Sequence, residues 1–335
     1  SSCADLLNTT PEDGIGSLEM WTTAEHADLG MVAAYAPIKA FPIGSDPASP
    51  AGCISSNPLT DSYTIYAFVW GTGFDDTGCR YFCNNSATTS YGVFSAKWKA
   101  DYTGVQYANL AIENITKMED ILKEETFNNY LGEAHFLRAL YYFDLLTFYS
   151  GHKNNDPGVP LYTSMPDFDK AYRPRATPAD VRKVMIDDLS IAVERLPFRA
   201  YEKGRASRSA ALALLGKVYL YAGNYAKAAE VFGQLLEENT SAAEPYSLYD
   251  NYAELFKLKG ENNDESVFVI DCIAAQGNGS RLDLLYSPRS ANCSGTNTSI
   301  PTKELVDAFL MADGTSFNGV YPDWKDRDAV NAFFA

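Results

Sequence analysis

The chain has 335 residues, 46% of them hydrophobic and 13% aromatic. That content excludes a disordered chain and suffices for a large core, at a length where one core begins to divide into lobes. Its 43 acidic and 27 basic residues leave a formal net charge of -16, a surface that repels phosphate backbones and anionic lipid and so argues against nucleic-acid and peripheral electrostatic membrane binding.

Thr22 and Thr23 offer caps for a first helix through Tyr35, with Ala24, Ala27, Leu29, Val32 and Ala33 as its apolar positions. Phe41 to about Ser95 is dense in Gly, Ser, Thr, Asp and Pro and reads as loop-rich, with rings embedded in it. In KWKADYTGVQYANLAIENITKM, residues Trp98, Tyr102, Val105, Leu110 and Ile112 recur at helical spacing. The next segment, EAHFLRALYYFDLLTFYSGHKNNDPGVPL (Glu133 to Leu161), is the most informative. Its helix is apolar nearly all round, which predicts burial inside a helical assembly, packed antiparallel on the helix before it. Glu133, His135, Arg138 and Asp144 interrupt the run too often for a membrane span. Gly151, Pro157 and Pro160 then turn the chain into a loop.

Thr177-Pro178-Ala179-Asp180 is a strong helix start, combining a cap, a first-turn proline and an acid at the positive helix end; the helix should run to about Leu196 and stop at Pro197. ALALLGKVYLYAGNYAKAAEVF has tetratricopeptide spacing at Leu215-Gly216, Tyr219, Gly223, Tyr225, Ala228 and Phe232. Gly216 and Ala228 allow close helix approach, Tyr219 and Phe232 fill the gap, and Gly223-Asn224 closes the turn. One such unit needs a stacked neighbour, expected in the Asp101–Tyr149 hairpin. Ser266 to Ile273 (SVFVIDCI) reads as a strand, and Gln276 to Thr298 as a polar, glycine-rich loop with embedded rings.

Signs of catalysis are poor. There is no Gly-x-Ser-x-Gly elbow, no phosphate-cradling loop and no His-Glu-x-x-His. The acid pairs Asp75-Asp76, Asp187-Asp188 and Glu124-Glu125 read as solvated surface, since a glycosidase pair must face across a cleft. His135 and Arg138, three apart on one helix face, read as satisfied interior groups. No Cys-x-x-Cys occurs, and His26, His135 and His152 lie far in sequence from Cys79 and Cys83, which argues against zinc. Cys79 with Cys83 and Cys272 with Cys293 are the nearest possible disulfide pairs.

The Glu133–Leu161 string resembles the signature helix of the SusD/RagB family of nutrient-binding outer-membrane lipoproteins, roughly a-E-A-x-F-L-R-A-x-x-Y-F-x-L followed by G-x-x-P-L. Trp98, Tyr102 and Asn109 match the family's W-x-x-x-Y-x-x-I-x-x-x-N helix, while Gln106 and Tyr107 depart from its intermediate positions. ELVDAFLMADGTSF (Glu304 to Phe317) is similar to the motif e-L-v-d-a-Y-x-m-x-D-G. Asp326-Arg327-Asp328 is similar to R-D-P-R, with Ala329 in place of Pro. The resemblance implies one mainly α SusD-like domain over 1–335. Its scaffold of tetratricopeptide-like hairpins would occupy about 20–40 and 96–240, with a few short strands and ligand-binding loops at about 41–95 and 274–300. Family members usually continue past this length, so a C-terminal portion is expected to be missing.

The same resemblance implies a non-enzymatic protein without cofactor on the surface of a Gram-negative outer membrane, which binds oligosaccharides and passes them to a SusC-like TonB-dependent transporter. Ser1-Ser2-Cys3 looks like the end of a lipoprotein signal, with Cys3 as the acylated residue; the other reading of Cys3 is an ordinary thiol. A sugar site needs flat rings for pyranose C–H faces and acids, amides or Arg for hydroxyls. Trp70, Asp75, Arg80 and Tyr81, in the segment Trp70 to Phe94, have that composition, and the later loops offer Tyr286, Arg289 and Trp324. Each has a bland alternative: Trp70 and Tyr286 as core rings, Arg80 as a surface charge. Trp98, on an apolar helix face, reads as packed. An oligopeptide-binding relative, a pure tetratricopeptide scaffold and a helical carbohydrate-active enzyme are the rival readings; the long loops argue against a pure scaffold.

Overall fold

The computed structural model describes residues 20–40, 67–69, 92–151, 153–166, 172–255, 257–271 and 299–310, with the single positions 314 and 328. The elements are α1 (Ala24–Tyr35), a 3-10 turn (Ala36–Ala40), β1 (Ala67–Val69), α2 (Gly92–Thr116), α3 (Glu124–Tyr149), α4 (Pro178–Arg195), α5 (Arg208–Tyr221), α6 (Tyr225–Ser241), the short α7 (Tyr252–Leu255), a 3-10 turn (Leu258–Gly260), β2 (Ser299–Pro301) and α8 (Lys303–Asp307). The mainly α expectation holds. Two compact units emerge, Ser1–Lys39 with Trp98–Cys272, and Ala40–Lys97 with Ile273–Ala335. In the second, β1 and β2 pair antiparallel with Phe68 opposite Ile300.

In the first unit the helix starts follow from their caps. Thr23, Thr177, Ser207 and Asn224 each accept, through the side-chain oxygen, a backbone N–H three residues on, all at 3.2 Å. Pro178 sits in the first turn of α4, and Leu196 is already extended, as the residue before Pro197 must be. Gly223 adopts a φ of 74°, the left-handed conformation that lets the chain reverse between α5 and α6.

α2 and α3 run antiparallel, with Trp98 against Tyr149, Gly104 beneath the ring of Tyr141, and Asn109 bonded to Arg138. A Cβ at Gly104 would lie 2.4 Å from that ring, so the aromatic of α3 occupies the space a side chain would need. α4 packs on α3, α5 on α4 and α6 on α5. The neighbour of the α5–α6 pair is therefore α4. The α2–α3 hairpin, expected from the sequence, reaches α5 only marginally through α3. As the composition predicts, α3 is buried almost throughout, from Phe127 to Leu146.

Two local expectations are corrected. On α1 the buried positions are Ala27, Gly30, Met31 and Ala34, while Leu29 and Val32 are 47% and 51% exposed. The face that carries Met31 among small residues is the one turned inward, and α1 is tied to α3 by polar bonds: Tyr141 Oη donates to Ala34 O at 2.6 Å and Tyr130 Oη to Asp28 Oδ1 at 3.0 Å. Over 266–271 the expected strand does not form. A strand needs a ladder partner, and this segment is held instead by side chains: Phe268 meets the Phe136 edge at 5.2 Å, and Asp271 pairs with Lys203 at 2.6 Å.

The unit is organised around a buried charge. Arg138, 6% exposed, donates to both oxygens of Asp188, through Nε at 2.8 Å and an Nη at 2.6 Å. Its other Nη donates to Asn109 Oδ1 at 2.8 Å and Thr163 O at 2.9 Å. His135 Nδ1 lies 2.6 Å from Asp188 Oδ1. His135 and Arg138 are thus satisfied interior groups, joining α2, α3, α4 and the loop after α3. Around Arg138 the loop carbonyls are taken in turn: Tyr102 Oη donates to Pro160 O at 2.7 Å, and Asn109 Nδ2 and Tyr142 Oη each donate to Tyr162 O at 3.0 Å. Tyr162 N donates back to Tyr142 Oη at 2.6 Å. Gly158 N donates to Ala176 O at 2.9 Å and Ala176 N to Val159 O at 3.0 Å, which closes the loop.

Asp188→Ala should lower unfolding free energy by about 3–5 kcal/mol, because it leaves the Arg138 guanidinium buried without its counter-charge; urea denaturation showing a loss within about 1 kcal/mol would refute the hub role. At Gly216 a Cβ would lie 2.4 Å from the Phe232 ring. Gly216→Leu should therefore cost about 1–3 kcal/mol by overpacking the α5–α6 hairpin, seen as a lowered melting temperature.

Candidate functional site

All seven residues expected to bind ligand, Trp70, Asp75, Arg80, Tyr81, Tyr286, Arg289 and Trp324, lie outside the described residues, as do Cys3 and the other five cysteines. β1 ends one residue before Trp70. Trp98 is a half-buried packing ring, 4.8 Å from Tyr102 and 5.1 Å from Tyr149, with the Arg175 guanidinium 5.5 Å from its centroid.

The acid pairs separate. Glu124 and Glu125 are exposed in the first turn of α3, where the helix dipole favours them. Asp187 pairs with Lys183 at the surface at 2.6 Å. Asp188 is the correction: at 2% exposed it is interior, because the helical turn that sends Asp187 outward brings Asp188 onto Arg138. Among the described residues no three His, Cys, Asp or Glu side chains converge as a metal site, and no helix is long and apolar enough to cross a membrane.

A second buried acid ties the N-terminal helix in place. Glu133, fully buried, accepts from Tyr35 Oη at 2.8 Å, Tyr201 Oη at 2.5 Å and Arg205 at 3.4 Å. Burial pushes its carboxyl above the ordinary range, opposed by the bonds from Tyr201, Arg205 and Tyr35. A raised value means that the folded state holds this proton more tightly than the unfolded one, so the group favours folding most at acid pH and less as pH rises through its folded value. This is a structural clamp joining α1, α3 and the loop before α5.

Among the described residues of the first unit, two of the openings have the size of a small-molecule site. One, of about 510 Å³, is lined by Tyr102, Val105, Gln106 and Asn109 of α2 and by Tyr162, Met165 and Pro166. The rings of Tyr102 and Tyr162 meet there at 87°, with centroids 5.9 Å apart. Burial raises the Tyr102 hydroxyl pKa, so the phenol stays neutral. The other, of about 730 Å³, is polar and built from 247–264, where Asp250, Glu254 and Glu261 sit beside Lys259. Sequence reading missed both. Gln106 stood out only as a departure from the helix pattern, and Tyr162 lay one residue beyond the string that ends at Leu161.

A SusD-like family model, described as starch-binding and associating with the outer membrane, matches residues 54–220. SusD-like protein P38 of Formosa agariphila is 27% identical over 250 residues, which is 71% of this chain and 43% of that protein. A solved laminarin-binding SusD-like protein is 26% identical, with a TM-score of 0.71 over 85% of this chain and 63% of that one. A SusD-like carbohydrate-binding protein from Bacteroides fragilis shares the fold at 22% identity, with a TM-score of 0.73 over 90% of this chain and 56% of that one. The chain spans less than half the length of the curated relatives it matches. The signature helix, the capped repeat and the family match agree, and the chain belongs to the SusD-like family.

Proposed function

We propose that the protein binds oligosaccharides at the cell surface without cleaving them and delivers them to a SusC-like TonB-dependent outer-membrane transporter. The observation that carries this reading is the likeness to a laminarin-binding SusD-like protein over 85% of the chain at 26% identity. The chemistry of the loops supports it: Trp70, Tyr81, Tyr286 and Trp324 offer rings for sugar faces, and Asp75, Arg80 and Arg289 offer hydroxyl partners. Individual ring contacts are worth only about 1 kcal/mol, which suits capture followed by release. The loops over about 41–95 and 274–300 carry ligand recognition in this reading, and the helices over about 20–40 and 96–240 form the scaffold. Cys3 is the acylated anchor residue, and several acyl chains at about 0.8 kcal/mol per buried methylene hold such a domain firmly on a bilayer.

Incubation with a panel of laminarin, starch and other glycans should give binding with no release of smaller sugars. Release would make the protein an enzyme, and binding of peptides alone would make it an oligopeptide carrier. Trp70→Ala should weaken glycan binding by about tenfold with an unchanged melting temperature; a large stability loss with intact binding would make Trp70 a core ring. Cys3→Ala in the native precursor should release the protein from membranes, as read by fractionation, and continued membrane association would remove the lipid anchor from the account.

A further inference from the structure

The opening beside α2 combines features that the scaffold does not need. Tyr102 and Tyr162 form a right-angled corner, and both rings are fixed in advance. Tyr102 is held by its bond to Pro160 O and by the Trp98 ring. Tyr162 is held through both backbone groups, with the Arg173 guanidinium 5.1 Å from its centroid. Asn109 closes the floor with its amide committed to Arg138 and Tyr162 O. Gln106 stands exposed at the opening, and its amide makes no hydrogen bond among the described residues. A rigid corner of two rings next to an uncommitted amide donor and acceptor is the equipment for a ring-shaped guest with hydroxyls on its rim. The described residues that line the opening are uncharged, and the nearby Arg173 guanidinium is engaged with the Tyr162 ring and Leu161 O.

We infer that this corner is a second carbohydrate-binding site, built from residues other than those of the aromatic loops and taking one or two neutral sugar units. Its volume of about 510 Å³ lies within the range of about 300–1,000 Å³ typical of small-molecule sites. One pyranose face lies on a tyrosine ring while its edge meets the other, and Gln106 bonds a hydroxyl. The inference rests on the glycan-binding reading above and adds a location to it.

The test is isothermal titration of the full chain with laminarihexaose and, in parallel, maltohexaose. It uses the unmodified protein, Trp70→Ala, and Trp70→Ala combined with Gln106→Trp, whose indole fills the corner from an exposed helix position. The binding that survives Trp70→Ala should weaken by about a further tenfold when Gln106→Trp is added, with the melting temperature unchanged. If Gln106→Trp melts early, Gln106→Ala, which removes the amide without adding bulk, carries the same comparison. Identical residual affinity with Gln106 intact or replaced overturns the second site alone. Complete loss of binding in Trp70→Ala does the same. Absence of binding by the unmodified chain overturns the glycan reading and this inference together.

Discussion

A guanidinium inside a helical bundle is tolerable only if its charge is balanced and its donors are largely met, and Arg138 has Asp188 as counter-charge and partners for four of its five N–H hydrogens. Arg138 shares its donors between a carboxylate, an amide and a main-chain carbonyl, and Asp188 also receives His135. Desolvating two charges costs several kcal/mol each, so such a pair adds less to net stability than its short distances suggest. What it adds is specificity. α2, α3, α4 and the 160–163 loop meet in a single arrangement, since any slip strands a charge in the core. The tyrosines extend the same logic outward, with Tyr102 clamping Pro160 O, and Tyr142 sharing Tyr162 O with the Asn109 amide.

This hub explains why the signature helix and the Pro-Leu turn after it were readable together in the sequence. Apolar residues on all sides forecast burial of α3, and the caps at Thr177 and Asn224 forecast where α4 and α6 begin. Gly216 and Phe232 stood at the separation a close helix crossing demands, and they meet there. Failures came where a local pattern competes with tertiary partners. Leu29 and Val32 look like core residues of α1, yet the face held on α3 is that of Ala27, Gly30, Met31 and Ala34. Asp188 looks like its neighbour Asp187, and only the position of Arg138 on another helix separates an interior ion pair from a solvated one. Val267, Phe268 and Val269 have strand composition, but they meet no ladder partner among the described residues.

The candidate site was less legible than the fold for a physical reason. A helix face repeats every few residues, so its role shows in periodicity, whereas a sugar-binding ring is distinguished from a core ring only by where its loop goes. Trp70 and Tyr286 carry that ambiguity, and Trp98 resolves it toward packing. Gln106 shows the opposite case. An interruption of a helical pattern marked a side chain that the scaffold leaves uncommitted beside the corner of Tyr102 and Tyr162. Family membership supplies the class of ligand more directly than any single residue does.

The central claim is that the buried network makes the 160–163 loop part of the same rigid body as α3 and α4. Native-state hydrogen exchange at Tyr162 tests it most directly, because this amide bonds to the Tyr142 hydroxyl rather than to a helix or strand. The account predicts that Tyr162 exchanges only with global unfolding, as slowly as the core amides of α3. Exchange at the rate of exposed turns, with α3 still protected, would contradict it.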